Sequence, residues 1–175
     1  MDNNRCRHCH NEIETLAHVL GSCQHGETLR IARHHKVRSS LAQALRETGF
    51  TVHEEVHGLS DNGSTRRIDI IAYKDNSLGY IIDPTVRFES SAKQPEEVDQ
   101  EKKNIYEPTI PFYKMVYNLQ HIEVIGLLVG ARSRPTILGK FGNFCETFHL
   151  PKSLANDIAL TTLKSSINIL RIHLH

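Results

Sequence analysis

Two aspartates interrupt runs of apolar residues in the stretch RRIDIIAYKDNSLGYIIDPTVRFE (66–89). Asp69 lies within Ile68–Tyr73 and Asp83 closes Leu78–Ile82, with the turn-forming KDNS between the two runs. A carboxylate among Ile, Ala and Tyr costs free energy to desolvate unless it faces solvent or is held by a cation. The runs read as adjacent strands of a hairpin, so one aspartate at the start of a strand and one at the end of the next can converge at one sheet edge. There they can hold a divalent cation through oxygen ligands. Two carboxylates, a metal and a nearby lysine are what phosphodiester hydrolysis needs: the metal polarises the phosphate and lowers the pKa of a bound water, and the ammonium stabilises developing charge or positions the nucleophile. Glu55 is the best candidate for a third acidic ligand or water-positioning group. The plainer alternative pairs Asp69 with Arg66 or Arg67 and makes Asp83, before Pro84, a turn acid.

A second constellation lies at the N-terminus. Cys6-x2-Cys9 is followed by His18 and Cys23, a spacing that places three thiolates and one imidazole around tetrahedral zinc with no open position. Such a site is structural. An odd cysteine in the cluster and a segment too short to bury its own core favour zinc over disulfides. His8, His10 and His25 could each replace His18, which is preferred because ETLAHVLGSC sets it on a short helical turn.

The lysine is chosen by periodicity. Pro95 opens a helix, PEEVDQEKKNIYEP, on which Val98, Lys102 and Ile105 fall on one side with Tyr106 beside Lys102; Lys103 lies about 100° further round. If Val98 and Ile105 pack on the sheet, Lys102 leans towards the aspartates and Lys103 faces water.

The remaining elements follow from their patterns. A long helix is expected from Glu27 to Glu47, with Leu29, Ala32 or Arg33, Val37, Leu41 and Leu45 as its apolar stripe and Arg30, Arg33, His34, His35, Lys36 and Arg38 as a cationic cluster able to meet phosphates. A strand follows, with Val52, Glu54 and Val56 on one face and Thr51, His53 and Glu55 on the other. Residues 121–131 read as a buried central strand. Closing helices are expected from Thr136 to Phe148 and from Ser153 to Ile172, the last with Leu154, Ile158, Leu163, Ile167 and Leu170 inside. The order predicts an α/β domain over 27–175 preceded by a zinc knuckle over 1–26.

At 175 residues and 39% hydrophobic, the chain has room for one main core. No segment approaches the roughly 20 apolar residues that span a bilayer, and no secretion signature is present, so the chain reads as soluble and intracellular with no membrane partner. A net charge of +1 gives no global basic signal, and any nucleic-acid footprint must be local.

The combination CRHCHNEIETLAHVLGSC, RIARHHKVRSSLAQALRETGF, RRIDIIAY, YIIDPTVRFE and EKKNIY resembles the C-terminal part of site-specific non-LTR retrotransposon proteins: a CCHC zinc knuckle followed by a restriction-like endonuclease of the PD-(D/E)XK superfamily. The likeness covers roughly residues 5–130. It implies Asp69 and Asp83 as catalytic acids, although the usual preceding proline is Ile68 here, and Lys102 with Tyr106 as the K-x3-Y that replaces the lysine expected at Thr85. It implies that Arg33 and His34 belong to a basic motif for cleavage or DNA binding. Arg30, Lys36, Arg66 and Arg67 complete the candidate DNA contacts. The resemblance further implies structural Zn2+, catalytic Mg2+ or Mn2+, and a nuclear endonuclease cut from a larger polyprotein. That enzyme nicks target DNA to prime reverse transcription by an upstream reverse transcriptase domain, with element RNA as a further partner. The alternatives are a catalytically inactive nucleic-acid-binding module and a Holliday-junction-resolvase-like nuclease acting on branched DNA.

Overall fold

The computed structural model describes residues 4–132 and 140–175. Its elements are α1 (Leu16–Gly21), α2 (Glu27–Glu47), β1 (Thr51–Leu59), β2 (Thr65–Tyr73), β3 (Leu78–Arg87), α3 (Gln94–Tyr106), α4 (Ile110–Tyr117), β4 (His121–Gly130), α5 (Lys140–Thr147) and α6 (Leu154–Leu174). The expected start of a helix at Thr136 lies outside the described residues. No helix among the described residues is long and apolar enough to cross a membrane.

The four strands form one mixed sheet in the order β1-β2-β3-β4. β1, β2 and β3 are an antiparallel meander, and β4 returns parallel to β3 after the α3–α4 crossover. Helices cover both faces. Val37, Leu41 and Leu45 of α2 pack with Ile70, Ile82 and Leu127, joined by Phe141, Phe144 and Ile158 from α5 and α6. On the other face Tyr106 and Tyr113, from α3 and α4, cover Ile68, Ile71 and Ile81. The run 121–131 was expected to be a central strand, yet β4 is the end of the sheet. Its apolar character reflects helices on both faces, with β3 in the interior.

Two features of the sheet shape the site. Pairing of β2 with β3 stops at Ile70–Ile82, whereas β3 runs on beside β4 to Arg87. The strands therefore part at Asp69 and Asp83, the next residues in register, and Pro84 is tolerated in a strand with one partner only. Asp83 thus sits inside a strand, where the sequence pattern placed it at a strand end. In β1, Glu55 has φ +53°, and the alternation reverses across it: Val52 packs in the α2-side core and Val56 in the opposite one. Val52, Glu54 and Val56 do not share a face.

The helices correct three further expectations. α4 carries Pro111 in its first turn and Asn118 as a left-handed cap (φ +51°), a helix the periodicity did not reveal. In α3 the inward face is Gln94, Val98, Asp99 and Tyr106, and Ile105 is 36% exposed. In α6 the buried face is Leu154, Ile158, Thr162, Ser166, Ile169 and His173, whereas Leu163 is exposed, Ile167 is 57% exposed and Leu170 is half-buried. The reason is polar: Ser166 answers a buried arginine of α2, and His173 meets Cys6 at the N-terminus.

Gly126 sets the depth at which α3 rests on β4. A Cβ there would lie 2.7 Å from Asp99 Cα and 2.9 Å from Lys102 Cγ, the former being backbone that cannot swing aside. Gly126→Ala is expected to destabilise the fold by about 1–3 kcal/mol, the usual range for overpacking. Denaturant unfolding checks this, and an unchanged midpoint would show that α3 can yield.

Candidate functional site

Asp69 and Asp83 line one open cleft of about 490 Å³, together with Thr85, Lys102, Tyr106, Arg67 and the α2 residues Arg30 and His34. The two aspartate side chains are 12% and 5% exposed. Asp83 is pinned at both oxygens: Thr85 Oγ1 donates to Oδ1 at 2.8 Å, and Tyr106 Oη donates to Oδ2 at 2.7 Å. Lys102 Nζ lies 3.1 Å from Oδ2. His34 Nε2 stands 3.3 Å from each oxygen of Asp69. Burial, with Asp83 next to it, drives the Tyr106 phenol far above its ordinary pKa, so it remains a protonated donor.

The two lysines of α3 part company. Lys102 reaches Asp83, whereas Lys103 Nζ bonds Asp99 Oδ2 at 2.8 Å across one helical turn. Lys103 was expected to face water; its side chain is 39% exposed, and its ammonium is also held by an acid the periodicity did not single out. Asp99 is buried, accepts the Gly126 N–H at 2.9 Å and also meets Lys140 Nζ at 2.5 Å. Burial works against its charge, but these partners outweigh it and hold its carboxyl below the ordinary range. Asp99 therefore anchors α3 to β4 and turns Lys102 towards the cleft.

The cationic cluster on α2 divides in the same way. Arg33, expected to meet phosphate, is 2% exposed; its Nη1 donates to Ser166 Oγ at 2.8 Å and its Nη2 to Leu20 O at 2.9 Å. Burial, with Arg30 adjacent, lowers its pKa to about 10, which leaves it cationic at neutral pH. Arg38 is also buried and pairs with Glu54 and Glu55. Glu55 is not a cleft-lining residue. Its carboxylate lies among Arg38 Nη1 (2.8 Å), Arg67 Nη1 (3.3 Å) and His35 Nε2 (3.6 Å). Burial raises its pKa, but these cations together hold it below the ordinary value. The left-handed turn at Glu55 carries the carboxylate to them, so it does not join the aspartates. Arg66 and Lys36 are exposed.

At the N-terminus Cys6, Cys9, His18 and Cys23 could hold a metal ion: one donor atom from each lies within 4.8 Å of the others. Cys6 Sγ is 3.7 Å from Cys23 Sγ and Cys9 Sγ is 3.3 Å from His18 Nε2. The sulfurs are well beyond disulfide length, and all four cysteines of the chain are free. Three sulfurs and an imidazole are a zinc-type donor set. His18 Nδ1 is engaged by Glu12 Oε2 at 2.9 Å and Ser22 Oγ at 3.1 Å, leaving Nε2 for the metal. His8 and His25 stack on each other at 3.7 Å outside this group. The knuckle packs on α6: His173 Nε2 is 3.8 Å from Cys6 Sγ, and Arg7 Nη1 donates to Leu174 O.

No protein-family model matches the chain. Over 131 residues, 73% of its length, it is 27% identical to the retrovirus-related Pol polyprotein from type-1 retrotransposable element R2 of Popillia japonica. It spans about a quarter of that relative, 27% of its length. Among solved structures it is similar to AF1548, a crystallised protein of unknown function, with 12% identity over 81% of this chain and 98% of the other. The TM-score is 0.36, too low to identify a fold.

Proposed function

We propose that this chain is a metal-dependent DNA endonuclease domain of the PD-(D/E)XK, restriction-like type, belonging to a larger retrotransposon polyprotein. It nicks a target strand so that the freed 3′-hydroxyl primes reverse transcription by an upstream reverse transcriptase domain that carries the element RNA in the nucleus. The observation that carries this reading is the pair of buried carboxylates: Asp69 and Asp83 both line the cleft, and of the lysines and arginines that line it with them only Lys102 touches either one. Two desolvated carboxylates with a single ammonium in direct contact suit an oxygen-ligated divalent ion. Held by Asp69 and Asp83, Mg2+ or Mn2+ would polarise the phosphate and supply a water of lowered pKa. The relative's description as a retrotransposon polyprotein agrees with this reading.

The chain's own groups have distinct tasks. Thr85 and Tyr106 fix the rotation of Asp83, and His34 holds Asp69. Lys102 lies where it can meet the non-bridging phosphate oxygens as negative charge grows on them. Arg30 and Arg67, on the cleft wall, can hold the flanking phosphates. Water attacks phosphorus and the P–O3′ bond breaks, leaving a 3′-hydroxyl and a 5′-phosphate.

Supercoiled plasmid with added Mg2+ or Mn2+ is expected to be nicked, and Asp83→Ala is expected to abolish nicking without loss of DNA binding. Binding without nicking by the unsubstituted chain would replace this reading with that of a nucleic-acid-binding module. Faster cleavage of a four-way junction than of linear duplex would make the enzyme a branched-DNA nuclease.

A further inference from the structure

On the flank of α2 turned away from the cleft, a second groove of about 250 Å³ runs between α2 and α6. At about 100° per residue, Lys36 and Ala32 lie on the side of the helix opposite His34 and Ile31, with Arg33 between them. The arginine borders both depressions. The second groove is lined by Arg33 and Lys36 from α2 and by Thr161, Lys164, Ser165 and Asn168 from α6, and no carboxylate lines it.

Its cations differ from most others in the molecule. Arg38, Arg46, Arg67, Arg87, Lys102, Lys103, Arg132 and Lys140 all contact an acidic side chain. Lys36, Lys164 and Arg33 have no ion-pair partner among the described residues. Arg33 is the most exacting of the three: its charge is buried, its hydrogen bonds go only to a neutral hydroxyl and a carbonyl, and its Nε has no partner. The nearest acid that acts on this charge, Glu89, makes no ion-pair contact with it, and a buried guanidinium with no anion in contact is costly. An anion in the groove between Lys36 and Lys164 would offset that cost, and Thr161, Ser165 and Asn168 offer neutral donors for its oxygens.

We infer that the α2–α6 groove is a phosphate-binding site for a nucleic-acid backbone, separate from the cleft that holds Asp69 and Asp83. The inference extends the nuclease reading, since a strand leaving the cleft across α2 meets this groove next, but the binding itself requires no cleavage. Lys36 and Lys164 are the principal contacts, with Arg33 supplying the field beneath them.

The test is equilibrium binding to a short DNA duplex and to an RNA hairpin, with zinc retained and no Mg2+ or Mn2+ added, so that failure of the cleavage chemistry cannot affect it. Lys36→Ala/Lys164→Ala is expected to weaken binding of the preferred polymer about tenfold or more and to reduce the salt slope by about 2, one for each lost phosphate contact. Lys93→Ala/Lys152→Ala, which removes the same charge from exposed positions elsewhere, is expected to leave both quantities nearly unchanged. Equal losses from the two pairs, no loss from the groove pair, or no measurable binding of either polymer by the unsubstituted chain would each overturn the inference.

Discussion

Lys102→Ala is expected to slow metal-dependent nicking by about a hundredfold or more, the scale of losing one preorganised electrostatic group, while Lys103→Ala leaves the rate nearly unchanged. The two side chains are neighbours in sequence, yet they serve different acids. Lys102 Nζ is 3.1 Å from Asp83 Oδ2 inside the cleft, and Lys103 Nζ is 2.8 Å from Asp99 on another side of α3. Removing Lys103 leaves Asp99 held by Lys140 and the Gly126 N–H, so α3 keeps its rotation. The Lys103–Asp99 pair is partly solvated, and its loss falls within the roughly 0–1 kcal/mol typical of exposed pairs. Removing Lys102 takes away the one ammonium touching the buried carboxylates. Zinc content and unfolding midpoint should stay near the parent values in both variants. Equal rate losses would show that the chemistry does not depend on Lys102 as proposed.

That lysine was legible because three constraints agreed. An acid in an apolar strand is conspicuous, a proline-started helix has a definite phase, and Val98 fixes which side of it goes inward. The cysteine–histidine group was legible for a simpler reason, since its ligands are close in sequence and their spacing is itself the geometry. What could not be read is whatever depends on a distant polar partner. α6 carries two stripes of helical period, and the more apolar one, with Leu163 and Ile167, is the exposed one. Ser166 and His173 go inward because the packed face must answer Arg33 and Cys6, residues far away in the chain.

Glu55 and Asp99 make the same point from opposite directions. By alternation Glu55 belongs to one face of β1, but a positive φ, which L-residues seldom adopt, turns it to Arg38, Arg67 and His35. Nothing in TVHEEVHGL announces that turn. Asp99 looks like one more acid in the first turns of an exposed helix. It becomes an anchor because Gly126, in another element, lets the helix come close enough for a backbone hydrogen bond. The i,i+4 spacing to Lys103 was the one local trace of it.

Cys23→Ser is expected to yield protein without bound zinc, an early-melting segment at the α1–α2–α6 junction and a sheet that stays folded. Each part of this follows from where the knuckle is tied. Cys6 and Cys23 are buried, and one metal ion at their sulfurs, Cys9 and His18 would hold together a segment whose own apolar contribution is small, chiefly Val19 and Leu20 against Ile169. Structural zinc in free peptides is worth roughly 10–16 kcal/mol of apparent binding energy. Only part of that is lost here as global stability, because the main core lies elsewhere. The local consequences reach further than the knuckle. Leu20 O accepts from Arg33, Cys23 O accepts from Arg30, and Leu174 O accepts from Arg7, so loosening the metal loop frees the first turns of α2 and the last turn of α6 together. Hydrogen exchange should therefore quicken in those segments while β2 and β3 stay protected. Nicking should fall as well, because Arg30 and His34 enter the cleft from the same part of α2. Elemental analysis of the parent protein is expected to find one zinc per chain. A folded parent without zinc, or exchange that quickens evenly across the sheet in the variant, would show that the cysteines do not hold this junction.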